Sequence, residues 1–125
     1  MDINRPEVLR ELNEVFARYE AALVGNNVEV LDTLFWHADA VVRYGSGENL
    51  VGIDAIRAFR AARPSAGLAR TLANTVITTF GNDFATAMTE FHRPGSAQVG
   101  RQSQTWVRLP EGWRVVAAHV SLIAS

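Results

Sequence analysis

The chain has 125 residues, of which 48% are hydrophobic and 20% charged, and a formal net charge of −1. This describes one globular domain, residues 1–125, with enough length to bury a core and without the polar, highly charged composition of a disordered chain. The near-neutral balance leaves no broad positive field for a nucleic-acid backbone or an anionic membrane, so neither is expected as a partner. With no cysteine, disulfides, a thiolate nucleophile and Cys-based zinc sites are excluded, and a cytoplasmic location is expected.

The start, Met1-Asp2-Ile3-Asn4-Arg5-Pro6, has no basic segment leading into an apolar run, and no stretch is apolar over a bilayer's thickness. Val8, Leu12, Val15, Phe16, Tyr19 and Leu23 then recur at steps of three and four, the period of one helical face. Asn4 is placed to cap this helix, Pro6 to open it and Gly25 to stop it. Asn27 opens a short second helix through Leu31, Leu34 and Phe35. Asp39 to Tyr44 reads as a strand followed by the glycine-rich turn Gly45-Ser46-Gly47-Glu48-Asn49. A third helix starts at Gly52-Ile53-Asp54, turns Ile56 and Phe59 inward and ends at Arg63-Pro64.

Beyond it the period changes to two. Thr71 to Phe80, Phe84 to Arg93, Gln98 to Leu109 and Trp113 to Ile123 read as four strands joined by short Gly, Asn, Asp and Pro turns, hence as antiparallel hairpins. Helices followed by a meander predict an α+β fold with the helices packed on one face of a mostly antiparallel sheet, closing a small pocket. Both alternating sets of the last strand are largely apolar, which predicts that a second copy covers the outer face in a homodimer.

The order of Ala17-Arg18-Tyr19, Asn26-Asn27, Phe35-Trp36-His37-Ala38-Asp39-Ala40-Val41-Val42, Gly52 with Ile56 and Phe59, and the closing meander resembles the SnoaL-like members of the nuclear transport factor 2-like superfamily. That resemblance implies a cone-shaped domain, its strongly curved sheet wrapped around a pocket. Val42-Arg43-Tyr44-Gly45-Ser46-Gly47-Glu48-Asn49-Leu50, Gly100-Arg101-Gln102, Gln104-Thr105-Trp106-Val107-Arg108 and Gly112 to Ser121 are similar to the AtzH and HpxZ group, small proteins encoded beside amidases in cyanuric acid and oxalurate breakdown. The likeness implies work on small N-carboxylated ureas or ureides. The AtzH-like member is assigned as a 1,3-dicarboxyurea decarboxylase, whereas HpxZ-like members have no settled activity. Ketosteroid isomerases of the same superfamily pair a first-helix tyrosine, matched by Tyr19, with an aspartate base. Here Arg43 or Tyr44 stands at the base position, so steroid isomerisation is disfavoured.

Each candidate side chain has a structural reading beside the functional one. Tyr19 lies on the buried stripe, either as core or as a donor aimed into the pocket. Arg43 interrupts an apolar strand, where its planar fork suits a carboxylate unless it turns to water. His119 and Ser121 share a face of the last strand, so they reach the pocket together or not at all, with the histidine as acid or base and the hydroxyl orienting a ligand. Arg70 and Arg101 rank above Arg63 as further carboxylate clamps, each with a surface or salt-bridged role, for instance with Glu90, as its alternative. No metal or other cofactor is called for, because His37 and His92 lack ligand spacing and no phosphate loop or nucleophile motif is present.

The reading is therefore a cofactor-free decarboxylase with Tyr19 and His119 as proton carriers and Arg43, Arg70, Arg101 and Ser121 holding substrate. A ligand-binding accessory subunit of an amidase, and a hydrolase, dehydratase or isomerase acting on another small molecule, are the alternatives.

Overall fold

A computed structural model describes residues 1–124. Its first helix, α1 (Pro6–Val24), buries Val8, Leu12, Phe16, Tyr19 and Leu23 along the expected stripe. Its start differs from expectation. Arg5 is the capping residue and makes no side-chain cap bond, while Asn4 turns its side chain to accept from the Thr79 amide at 2.8 Å and its own amide donates to the Thr79 carbonyl at 3.0 Å. The asparagine thus ties the N-terminus to a strand end instead of capping the helix. At the other end Gly25 has φ −83°, and the left-handed turn falls on Asn26 with φ 52°. Asn27 caps α2 (Val28–Thr33) as expected, accepting from the Val30 amide at 3.2 Å.

The segment read as strand and loop forms a tight hairpin, β1 (Val42–Tyr44) and β2 (Asn49–Val51), closed by the Gly45 amide on the Glu48 carbonyl at 2.9 Å. Helix α3 (Ile53–Ala62) follows, then β3 (Thr71–Phe80), β4 (Phe84–His92), β5 (Gln98–Leu109) and β6 (Gly112–Ala124). The six strands lie in the order β2-β1-β6-β5-β4-β3. All neighbours are antiparallel except β1 and β6, which run parallel. The α+β arrangement is the one expected, with the core between helices and sheet around Leu12, Leu31, Leu34, Phe35, Ile56, Trp106 and Val115. Among the described residues no helix is long and apolar enough to cross a membrane.

One irregularity decides which side chains meet. In β6, Ala117 pairs with Thr105 but Val115 pairs with Trp106, so Val116 is an extra residue, a β-bulge. A bulge reverses the alternation of everything beyond it. Trp113 and Val115 are buried on the helix side, but after Val116 it is Ala118 and Val120 that face inward. His119 stands exposed on the outer face, opposite Ser103 of β5 and Tyr44 of β1. In the same row lie Met88 and Val76, two apolar side chains open to solvent.

Gly100 marks a close approach of a different kind. A Cβ placed there would lie 2.1 Å from the Phe91 ring, which crosses the β5 backbone. Gly100→Ala must push this ring aside, and overpacking of that sort costs about 1–3 kcal/mol. The expected loss shows in urea unfolding as a lower midpoint with an unchanged slope.

Candidate functional site

Between α1, α3 and the sheet lies an enclosed cavity lined by Tyr19, Leu23, Arg43, Arg60, Arg63, Leu68, Arg70, Arg93, Gln102 and Val120. About 40 Å³ of it is open to water-sized molecules. A single water needs roughly 10–15 Å³, so the enclosed space holds about three waters, and a larger ligand enters only if the wall gives.

Five of the lining residues are arginines, brought in by separate elements. Arg43 is the middle residue of β1 and bonds Glu48 across the hairpin at 2.9 Å, its guanidinium 5.4 Å from the Phe59 ring centre. Arg60 comes from the buried face of α3, pairs with Asp32 of α2 at 2.8 Å and lies over Phe35 at 4.3 Å. Arg70, just before β3, is gripped by Glu20 of α1 through two bonds of 2.8 and 2.6 Å and donates to the Gln102 side-chain oxygen at 3.0 Å. Arg70 and Arg93 both flank the Phe91 ring, at 4.5 and 4.9 Å. The clearance at Gly100 that admits this ring therefore also places the two cations.

Arg63 and Arg93 differ from the other three in having no carboxylate partner among the described residues. Buried guanidinium nitrogens of both, Nε and Nη2 of Arg63 and Nε of Arg93, make no hydrogen bond, and neither does Nη2 of Arg60. Burial, and then repulsion from Arg60 and Arg43, draw the pKa of Arg63 below the ordinary arginine value. Burial and the neighbouring Arg70 do the same to Arg93. Orphaned donors and desolvated like charges in one enclosure are the chemistry of a site for an anion with carboxylate-like oxygens. Tyr19 adds a phenol, its ring packed against Phe35 and edge-on to Trp106.

Of the residues singled out in the sequence, the structure brings Tyr19, Arg43 and Arg70 together at this cavity. The ambiguity on β1 resolves with Arg43 lining the cavity and Tyr44 on the outer face, edge-on to His119. Arg101, His119 and Ser121 lie elsewhere, contrary to expectation. The Val116 bulge carries His119 and Ser121 outward, and Arg101 stands on the outer phase of β5, donating to the Ser121 hydroxyl at 3.2 Å. Arg63, ranked below Arg101 from the sequence, is the one inside.

Arg60, Arg93 and Gln102 were missed, though each left a trace. Arg60 follows Ile53 and Ile56 on the buried helical face. Arg93 continues the inward alternation Ala85, Ala87, Thr89, Phe91. Gln102 shares the inward phase of β5 with Gly100, Gln104 and Trp106.

The AtzH-like family model matches residues 1–125. A protein of unknown function from Pectobacterium atrosepticum, of the DUF3225 family, is 64% identical, with 98% of this chain and 96% of that one covered and a TM-score of 0.97. A cystatin-like fold protein from Burkholderia xenovorans is 48% identical, with 100% and 98% covered and a TM-score of 0.96. A nuclear transport factor 2-like superfamily protein from Salmonella enterica is 25% identical over 95% and 93%, with a TM-score of 0.76. No functionally curated protein matches. By the full-length family match and these near-complete overlaps, the chain belongs to the AtzH-like family and has the nuclear transport factor 2-like, cystatin-like fold.

Proposed function

We propose that this protein is a cofactor-free decarboxylase of a small N-carboxylated urea, 1,3-dicarboxyurea or a close ureide, held in the arginine cavity. The observation that carries the reading is the uncompensated pair Arg63 and Arg93, two half-buried cations with buried, unpartnered nitrogens and no carboxylate partners among the described residues. Membership of the AtzH-like family supports the choice of substrate class.

Loss of carbon dioxide from an N-carboxylate breaks the nitrogen–carbon bond and leaves the electron pair on nitrogen, which must be protonated. The arginines hold the carboxylates and stabilise the charge that spreads into the urea. Tyr19, the phenol at the cavity wall, donates the proton and is replenished from solvent. His119 has no part in this step, being on the other side of the sheet. Arg43, on the cavity wall where the likeness would put the isomerase base, disfavours proton abstraction beside a ketone. A homodimer covering the outer face at Tyr44, Met88 and Val76, and an amidase as a further partner, complete the proposal.

Three outcomes are expected. Malonate, compared with chloride at equal ionic strength, should raise the melting temperature by several degrees, as a ligand specific to the folded state does. Arg63→Gln and Arg93→Gln should abolish that rise without lowering the unliganded melting temperature, because each removes a desolvated charge. An unchanged malonate response in both variants would refute anion binding here.

Freshly prepared 1,3-dicarboxyurea should release carbon dioxide faster with protein than without. Tyr19→Phe should slow turnover about 10²- to 10⁴-fold, while His119→Ala stays within about twofold. No acceleration by the wild-type protein sinks the decarboxylase reading and, if malonate still binds, leaves the accessory ligand-binding role. Sedimentation should show a dimer that Met88→Glu dissociates.

A further inference from the structure

Among the described residues, the cavity holds a buried neutral amide donor without a partner. Gln102 is buried, with 3% of its surface exposed. Its side-chain oxygen accepts from Arg70 Nη2 at 3.0 Å, and Arg70 is itself fixed by the double bond to Glu20. An arginine can only donate, so the oxygen must be the atom facing it and the amide nitrogen, Nε2, must be the other. That nitrogen is buried without a hydrogen-bond partner, and Gln102 lines the cavity beside the five arginines. Gln104, two residues further on the same face, also has an unpartnered amide nitrogen, but its oxygen accepts from the Trp106 indole at 3.0 Å and it does not line the cavity.

We propose that Gln102 is a specificity-determining residue whose Nε2 donates to a neutral acceptor, a carbonyl oxygen, on a ligand whose carboxylates are held by the arginines. The proposal rests on the anion-binding reading of the cavity and adds to it. Arginines alone recognise charge and would take any small dicarboxylate that fits. An amide donor oriented by Arg70 separates a ligand with a carbonyl between its acidic groups from one with a methylene there. The methylene would leave the buried donor unpaired, and a site built to hydrogen-bond rejects such an analogue more strongly than it rejects a small change in apolar bulk. Because Glu20 and Arg70 set the orientation of the amide, the donor is pre-organised and little ordering is left to binding.

Two five-carbon diacids separate charge from carbonyl recognition: 3-oxoglutarate has a central ketone where glutarate has a methylene. In calorimetric titration, wild-type protein should bind freshly dissolved 3-oxoglutarate about tenfold or more tighter than glutarate. Gln102→Met, close in shape and unable to donate, should bind glutarate about as the wild type does and show no preference. In the wild-type protein, the Gln102 side-chain amide resonances should shift with 3-oxoglutarate and not with glutarate, a readout that needs no variant to fold. Equal binding of the two diacids with unmoved amide resonances, or a preference that survives in Gln102→Met, would overturn the assignment while leaving anion binding intact. Failure of the wild type to bind either diacid or malonate would overturn anion binding and the role of Gln102 with it.

Discussion

The controlling constraint in this protein is the burial of guanidinium groups against one another in a small enclosure. Like charges that lose water repel more strongly than they do at a surface, and desolvation adds its own cost to each. The surrounding fold is arranged to answer it. Glu48, Asp32 and Glu20 neutralise Arg43, Arg60 and Arg70 from three different elements. The faces of Phe59, Phe35 and Phe91 supply the electron-rich surface that a weakly hydrated cation can lie on. Phe35 belongs to the packing of the core as well as to the site, so cavity and core cannot be varied independently there.

The compensation stops short at Arg63 and Arg93. Had two further carboxylates been present, the cavity would be electrically satisfied and indifferent to a ligand. Leaving these charges open lets a bound anion recover the interaction that folding forgoes, so a local deficit in stability becomes a source of affinity. Their positions fit that role. Arg63 sits where α3 ends before Pro64, and Arg93 where β4 gives way to Pro94-Gly95, so both side chains enter from segment ends around a rim.

Much of this was legible in the sequence, and the part that was not has an identifiable cause. The helical stripe from Val8 to Leu23 and the four strands from Thr71 onward followed their periodicities. Arg43 was singled out because a cation interrupts an apolar strand, Tyr19 because it lies on the buried stripe and matches the isomerase tyrosine, and Arg70 because it borders a strand able to line the pocket. The second short strand at Asn49–Val51 escaped because Gly45 to Asn49 carries turn chemistry and only three residues of pairing follow. His119 and Ser121 were placed on one face by alternation and given to the pocket by the family likeness of their string, and neither signal registers the single residue that turns that face outward. A bulge at Val116 is encoded in how β5 and β6 pair, not in the identity of Val115, Val116 and Ala117, all of them ordinary strand residues.

The same bulge gives β6 two faces of different character. Before it, Trp113 and Val115 fill the core. Beyond it, Val120 reaches the cavity while His119 is delivered to the outer row with Tyr44, Ser103 and Met88. Without the extra residue His119 would point toward a cluster of arginines and Val120 would be lost from the wall. Turning it outward leaves the cavity interior to guanidinium, amide and phenol groups. Of these the phenol supplies the O–H that the proposed proton transfer uses. The topology thereby leaves Tyr19 on the cavity wall and His119 outside it, and the proposed proton transfer falls to α1, one of the two helices beside the cavity.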